Sequence, residues 1–135
     1  MMIGILLITH GSLSEVLIGT AEGVVGPIEN IKAVSVNSDD DVTAVKGLIS
    51  AALHEIDQGD GVIMLTDMFG GTPSNIGLSF LREGEIEIIT GVNLPIVLKI
   101  AKERSGKSLP ELASLLKKRG RESIVLASEM LNGKS

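Results

Sequence analysis

Two side chains in this sequence stand where a reactive pair would stand. His10 closes the apolar run ILLITH, Asp67 closes the apolar run GVIMLTD, and a glycine-bearing turn follows each. A carboxylate that accepts a hydrogen bond from one imidazole nitrogen fixes the tautomer and leaves the lone pair of the other nitrogen facing outward. That second nitrogen can serve as nucleophile, general base or metal ligand. The same residues also fit a purely structural reading, in which the histidine caps the helix that follows it and the carboxylate ties down a turn.

The turn after Asp67, MFGGTP, adds a direction to the chemistry. Gly70 and Gly71 let the backbone come close to a bound group, Thr72 is a natural N-cap, and Pro73 is a natural first helical residue. Helix N-termini favour anions, phosphate included. A second one, opened by Gly11 and Ser12, begins beside His10 itself. A tight strand-to-helix turn is the bland reading of GGTP alone; beside a histidine the motif points to phosphoryl chemistry. The pattern GxxxxGK[ST] is absent, and no GxGxxG follows the first strand, so neither a P-loop nor a dinucleotide fingerprint is present. A histidine phosphatase surrounds its phosphohistidine with arginines, whereas Arg82, Arg104, Arg119 and Arg121 all lie outside these motifs.

The pair can meet only if the surrounding elements bring it together. Short apolar runs at 3–9, 31–36, 61–66 and 85–90 read as strands. Helical spacing appears over 12–25 and 42–56, after Pro73, and over 94–104 and 109–119. SDDD, 38–41, supplies a cap for the second helix. Strands alternating with helices predict a doubly wound α/β fold, a mainly parallel sheet with helices on both faces. In the order 2-1-3-4 the first and third strands are neighbours, and His10 and Asp67 meet at their carboxyl ends, where such sheets bind ligands. Residues 122–127 are expected to form a last strand.

Composition sets the outer bounds. The 135 residues suit one domain, read as 1–135, with an aliphatic core, because the aromatics are two Phe with no Trp or Tyr. With no cysteine, disulfides, thiolate catalysis and Cys-based zinc sites are excluded, and a reducing cytoplasm fits. The N-terminal apolar run lacks a basic flank and is too short for a signal peptide or a membrane span. Net charge is −5, with nine acids against two bases in residues 1–60 and eight against ten in 61–135. KKRGR, 117–121, reads as a solvated helix end. An acidic chain without an aromatic platform argues against nucleic acid.

THG around His10, DMFGGTPSN at 67–75 and GVNLP at 91–95, with GRES at 120–123, together resemble the mannose-class IIA domain of the bacterial phosphoenolpyruvate:sugar phosphotransferase system. The resemblance runs over nearly the whole chain. It implies that His10 is transiently phosphorylated on Nε2 and that Asp67 orients the ring through Nδ1. The phosphoryl group would come from the carrier HPr and leave for a IIB component. No metal or other cofactor would take part, and the membrane would be reached only through IIC and IID components. Exchange between two histidines needs positioning and charge stabilisation more than a strong acid. Gly11, Ser12, Gly70, Gly71, Thr72 and Asn75 are the candidates to hold the phosphoryl oxygens. Leu13, Met68, Phe69 and Leu94 are the candidate apolar collar for docking partners; for Phe69, burial in the core is the competing expectation. The resemblance also implies a homodimer in which the last strand crosses to the partner, and a chain ending NGKS would be a stand-alone IIA. Alternatives stay open, a non-enzymatic binding domain and three others. One is the phosphotransfer subunit of dihydroxyacetone kinase, whose SHS-type motif differs from THG. Another is a regulatory relative. The third is a small metal chelatase, for which His54, read as a surface residue of the second helix, is the only second histidine.

Overall fold

The computed structural model describes residues 2–133; positions 1, 134 and 135, the ends of the span read as one domain and part of the NGKS terminus, lie outside the described residues. The chain runs β1 (Gly4–His10), α1 (Leu13–Val25), β2 (Ile31–Val36), α2 (Val42–Ile56), β3 (Val62–Thr66), α3 (Thr72–Leu78), β4 (Ile86–Thr90), α4 (Leu94–Glu103), α5 (Leu109–Glu122) and α6 (Ala127–Leu131). The four strands form one sheet in the order β2-β1-β3-β4, every pairing parallel, as the alternation of strand and helix predicts.

The central pair explains its own composition. β1 and β3 are covered on both faces, and Ile5 to Ile8 and Val62 to Leu65 are fully buried. Period-two alternation inside those apolar runs sorts them into two cores. Ile5, Leu7, Ile63 and Leu65 pack under α1, α4 and α5, while Leu6, Ile8, Val62 and Met64 pack under α2 and α3. At about 25 cal/mol per Å² of apolar surface buried, these two layers are the main drive to this arrangement. Caps then set where helices begin. Asp41, from the SDDD loop, accepts the Thr43 N–H. Ser108 and Glu111 close a capping box on α5.

The amino ends of the strands are locked by a residue that composition gave no reason to single out. The Arg104 guanidinium, 7% exposed, donates to the carbonyls of Glu29 at 2.6 Å, Ile3 at 3.3 Å and Asn30 at 3.4 Å. Asn30 in turn donates from Nδ2 to the Ile56 carbonyl at 2.8 Å. The starts of β1 and β2 and the end of α2 are thereby tied together at the edge opposite His10.

The expected last strand at 122–127 is not formed. α5 continues to Glu122, residues 124–126 pair with no strand, and α6 begins at Ala127. The helical spacing of Leu112, Leu116 and Gly120 carries α5 past its expected end, and an apolar run becomes a strand only where a ladder partner is at hand. Within the chain the sheet ends at β4.

Candidate functional site

Sheet register brings the two suspected residues together. His10 is paired with Val36 and Ile8 with Thr66, so the residue after Thr66 emerges beside the end of β1. There Asp67 Oδ2 accepts two hydrogen bonds, from the His10 backbone N–H at 2.9 Å and from His10 Nδ1 at 2.8 Å. Its Oδ1 accepts the Met68 N–H at 3.0 Å. Both carboxylate oxygens are thus engaged, and with Nδ1 as the donor the lone pair of His10 rests on Nε2. Accessibility divides the roles: the His10 side chain is 50% exposed and that of Asp67 only 12%. Burial pushes the Asp67 carboxyl up, but hydrogen bonds from the His10 backbone and ring overcome it and hold the group below the ordinary aspartate value of 3.8.

The glycines around the pair serve different ends. At Gly11 the chain turns with φ +52°, and the Gly11 N–H closes the turn on Val36 O at 3.0 Å. No atom would crowd a Cβ there, so backbone freedom is the reason for glycine. Gly71 is the reverse case, with an ordinary extended φ of −82°. A Cβ on Gly71 would lie 2.8 Å from His10 Cε1 and 3.4 Å from Nε2. The glycine makes room for the imidazole. Gly71, not Thr72, is the N-cap of α3; Thr72 is its first residue and is exposed. Asn75 is exposed one turn along, and its Nδ2 donates to Gly70 O at 3.5 Å.

Of the expected collar, Leu13, Met68 and Phe69 are 43%, 54% and 74% exposed. Phe69 therefore points out of the fold and not into the core. Leu94 departs from expectation: as the first residue of α4 it is half-buried and packs against the core beside α1, α4 and α5.

GVNLP contributes through Asn93, a residue the motif contains but sequence reasoning did not single out. The N–H groups of Gly91 and Val92 both donate to Thr66 O at 2.9 Å, fixing the turn to the end of β3. Asn93 Oδ1 caps α4 through the Ile96 N–H at 3.1 Å, and its Nδ2 donates to Ser123 Oγ at 3.1 Å and Gly120 O at 3.3 Å. GVNLP and GRES are therefore one hydrogen-bonded unit. An asparagine directly before Leu-Pro at a helix start was the available signal.

The two histidines do not converge on one site. His54 is exposed in the last turn of α2, and Ile56 of that helix packs against Gly4, at the amino end of β1. At about 3.3 Å per residue, the length of β1 separates it from His10 by roughly 20 Å. Among the described residues no group of three or more His, Cys, Asp or Glu is placed to hold a metal ion.

The chain matches the family model EIIA-man, described as the PTS system fructose IIA component, over residues 4–117. The chain belongs to the EIIA-man family, the mannose class of sugar-specific IIA components. It is 30% identical to the PTS system fructose-specific EIIA component of Bacillus subtilis, a match covering 96% of this chain and 90% of that protein. It is 32% identical to the PTS system mannose-specific EIIAB component of Escherichia coli over 92% of this chain, but spans only 39% of that longer relative. A solved PTS IIA protein associated with the fucose utilization operon of Streptococcus pneumoniae superposes with a TM-score of 0.84 at 25% identity, covering 95% of each chain. Phosphotransferase system component EIIA from Streptococcus agalactiae shares the fold with a TM-score of 0.84 at 21% identity, covering 94% of this chain and 98% of that one.

Proposed function

We propose that the chain is a phosphocarrier that takes a phosphoryl group from phospho-HPr onto His10 Nε2 and hands it to a IIB component for sugar uptake and phosphorylation. The observation that carries this reading is the 2.8 Å bond between His10 Nδ1 and Asp67 Oδ2, which presents Nε2 as the nucleophile on an exposed ring. The Nε2 lone pair attacks phosphorus as the N–P bond of the donor histidine breaks and its electron pair returns to that nitrogen. The reverse exchange then delivers the group to IIB. One phosphohistidine replaces another, so positioning and stabilisation of charge carry the catalysis, and no cofactor is needed. Backbone N–H groups of Ser12, Gly70 and Gly71, with the side chains of Thr72 and Asn75, hold the phosphoryl oxygens; the Gly11 N–H is already given to Val36 O, and Gly11 serves the site through its turn. Leu13, Met68 and Phe69 form the apolar rim on which both partners dock.

The carrier acts in the cytoplasm and meets the membrane only through the IIC and IID components that IIB serves; among the described residues no helix is long and apolar enough to cross a bilayer. It works as a homodimer. Ile124, Val125, Leu126, Met130 and Leu131 are 81%, 54%, 63%, 65% and 86% exposed, a density of bare apolar side chains that a second copy would cover. The edge of β4, left without a strand from its own chain, is the place for the partner's 122–127 segment.

Intact mass after incubation with phosphoenolpyruvate, enzyme I and HPr tests the reading. One acid-labile phosphoryl group should appear on the wild-type chain and none on His10→Ala, with the His10→Ala circular dichroism unchanged because the side chain lies outside the core. A wild-type chain that gains nothing from a cognate HPr would overturn it.

A further inference from the structure

Ser12 occupies the N-cap position of α1, yet its side chain makes no cap hydrogen bond. The hydroxyl that performs this task belongs to Thr9, whose Oγ1 accepts the Ser14 N–H at 2.7 Å. Thr9 and Ser14 are both fully buried, and Ser14 Oγ donates onward to Val34 O at 3.4 Å. One residue before His10, the strand thus reaches across the Gly11 turn and fastens the first turn of α1 to β1 and β2.

This substitution of one hydroxyl for another has a chemical consequence. A serine that caps a helix spends its oxygen as an acceptor, turned inward on the N–H of the second or third helical residue. Ser12 is relieved of that, is exposed, and stands two residues from His10. A cap bond would use only an acceptor lone pair, but it would also hold the side chain inward; without it the Ser12 side chain can turn and donate its O–H to a charged oxygen, the stronger class of hydrogen bond. We propose that Thr9 is a positioning residue of the transfer step: by capping α1 in place of Ser12, it fixes the helix start beside His10 and frees the Ser12 hydroxyl to hold the phosphoryl group. The inference rests on His10 being the phosphorylated residue.

The test compares Thr9→Val, Thr9→Ser, Ser12→Ala and the Thr9→Val/Ser12→Ala double variant in transfer from phospho-HPr. Thr9→Val should lower kcat roughly 10-fold with KM held within about twofold, the loss expected for one hydrogen bond to a charged group. Thr9→Ser, which keeps the acceptor, should recover the rate to within about twofold. In the Ser12→Ala background Thr9→Val should add little, since the two act as one unit. Rates for Thr9→Val equal to wild type, or full additivity with Ser12→Ala, overturn the proposal. If Thr9→Val does not fold, amide hydrogen exchange on the wild-type chain decides instead. The Ser14 N–H should be strongly protected before and after phosphorylation, with the Ser12 resonances shifting when His10 is modified; a fast-exchanging Ser14 N–H or an unmoved Ser12 rejects the idea. Phosphoramidate, a direct chemical donor, separates the two readings. A wild-type chain that neither donor phosphorylates removes the phosphocarrier function and this inference with it. A phosphorylated wild type matched by Thr9→Val removes this inference alone.

Discussion

At the scale of single residues, the site depends on one carboxylate and one missing side chain. Asp67→Asn removes the charge that fixes the His10 tautomer, and phosphoryl transfer should slow on the order of 10²-fold while the fold persists. The same substitution has a signature in pH. A carboxyl held below 3.8 in the folded chain stabilises it above that pH, and the contribution is lost as pH falls through the lower folded value. The urea stability of wild type should therefore exceed that of Asp67→Asn at about pH 5, and the gap should close as the solution is acidified below 3.8. A gap that widens instead would mean that Asp67 is protonated in the folded protein. Gly71→Val tests the room made for the ring. With φ at −82° the backbone accepts valine, but its Cβ would sit 2.8 Å from His10 Cε1 and displace the imidazole. A displacement of that kind costs on the order of 10²-fold in transfer rate. Normal transfer by Gly71→Val would show that the clearance is not needed.

At the scale of elements, the site is held from behind by the way α5 meets α4. Gly120 is buried, and a Cβ there would lie 2.6 Å from Ile96 Cδ1 and 3.0 Å from Cγ1, inside a core where Ile96 is itself 2% exposed. Alanine gains about 1 kcal/mol of helix propensity over glycine, whereas overpacking costs about 1–3 kcal/mol. Overpacking wins, so Gly120→Ala should lower the urea midpoint and loosen the Asn93–Ser123 tie beside the site. Gly47, in α2, gives the opposite sign. A Cβ added at Gly47 would meet open space, so Gly47→Ala should raise stability by up to about 1 kcal/mol. Equal effects at the two positions would mean that packing around Gly120 is slack.

At the scale of the whole molecule, two ends of one sheet do different work. The amino edge is closed by Arg104, which satisfies a buried charge with three backbone carbonyls. The carboxyl edge is left open for His10. Beyond α5 the chain exposes a run of apolar side chains, with Ile124 at 81% and Leu131 at 86%, and the proposed dimer rests on this surface. Ile124→Asp with Leu126→Asp should convert a dimer to monomers in sedimentation velocity without altering far-ultraviolet circular dichroism. A wild-type chain that sediments as a monomer would reject the dimer.

Much of this protein is legible in its sequence. Apolar runs of five to seven residues, broken at His10 and Asp67, dictate central parallel strands because only a sheet covered on both faces buries them. Alternation predicts a parallel sheet but is compatible with more than one strand order; the assembled order β2-β1-β3-β4 makes β1 and β3 neighbours and so brings the two residues together. The SDDD cap is equally plain, since capping is a local hydrogen bond between neighbours in sequence. What could not be read depends on contacts between distant segments. Local signals favour Thr72 and Ser12 as caps, whereas the fold uses Gly71 and Thr9, because the space beside the His10 ring and the reach of a buried hydroxyl exist only once β1 and the following turns are assembled. Leu94 looks like surface beside a site and proves to be half-buried against the core, because α4 begins against α1 and α5. The 122–127 run has strand composition, but a strand is a relation between two chains or segments, and a single sequence does not say which partner will be there.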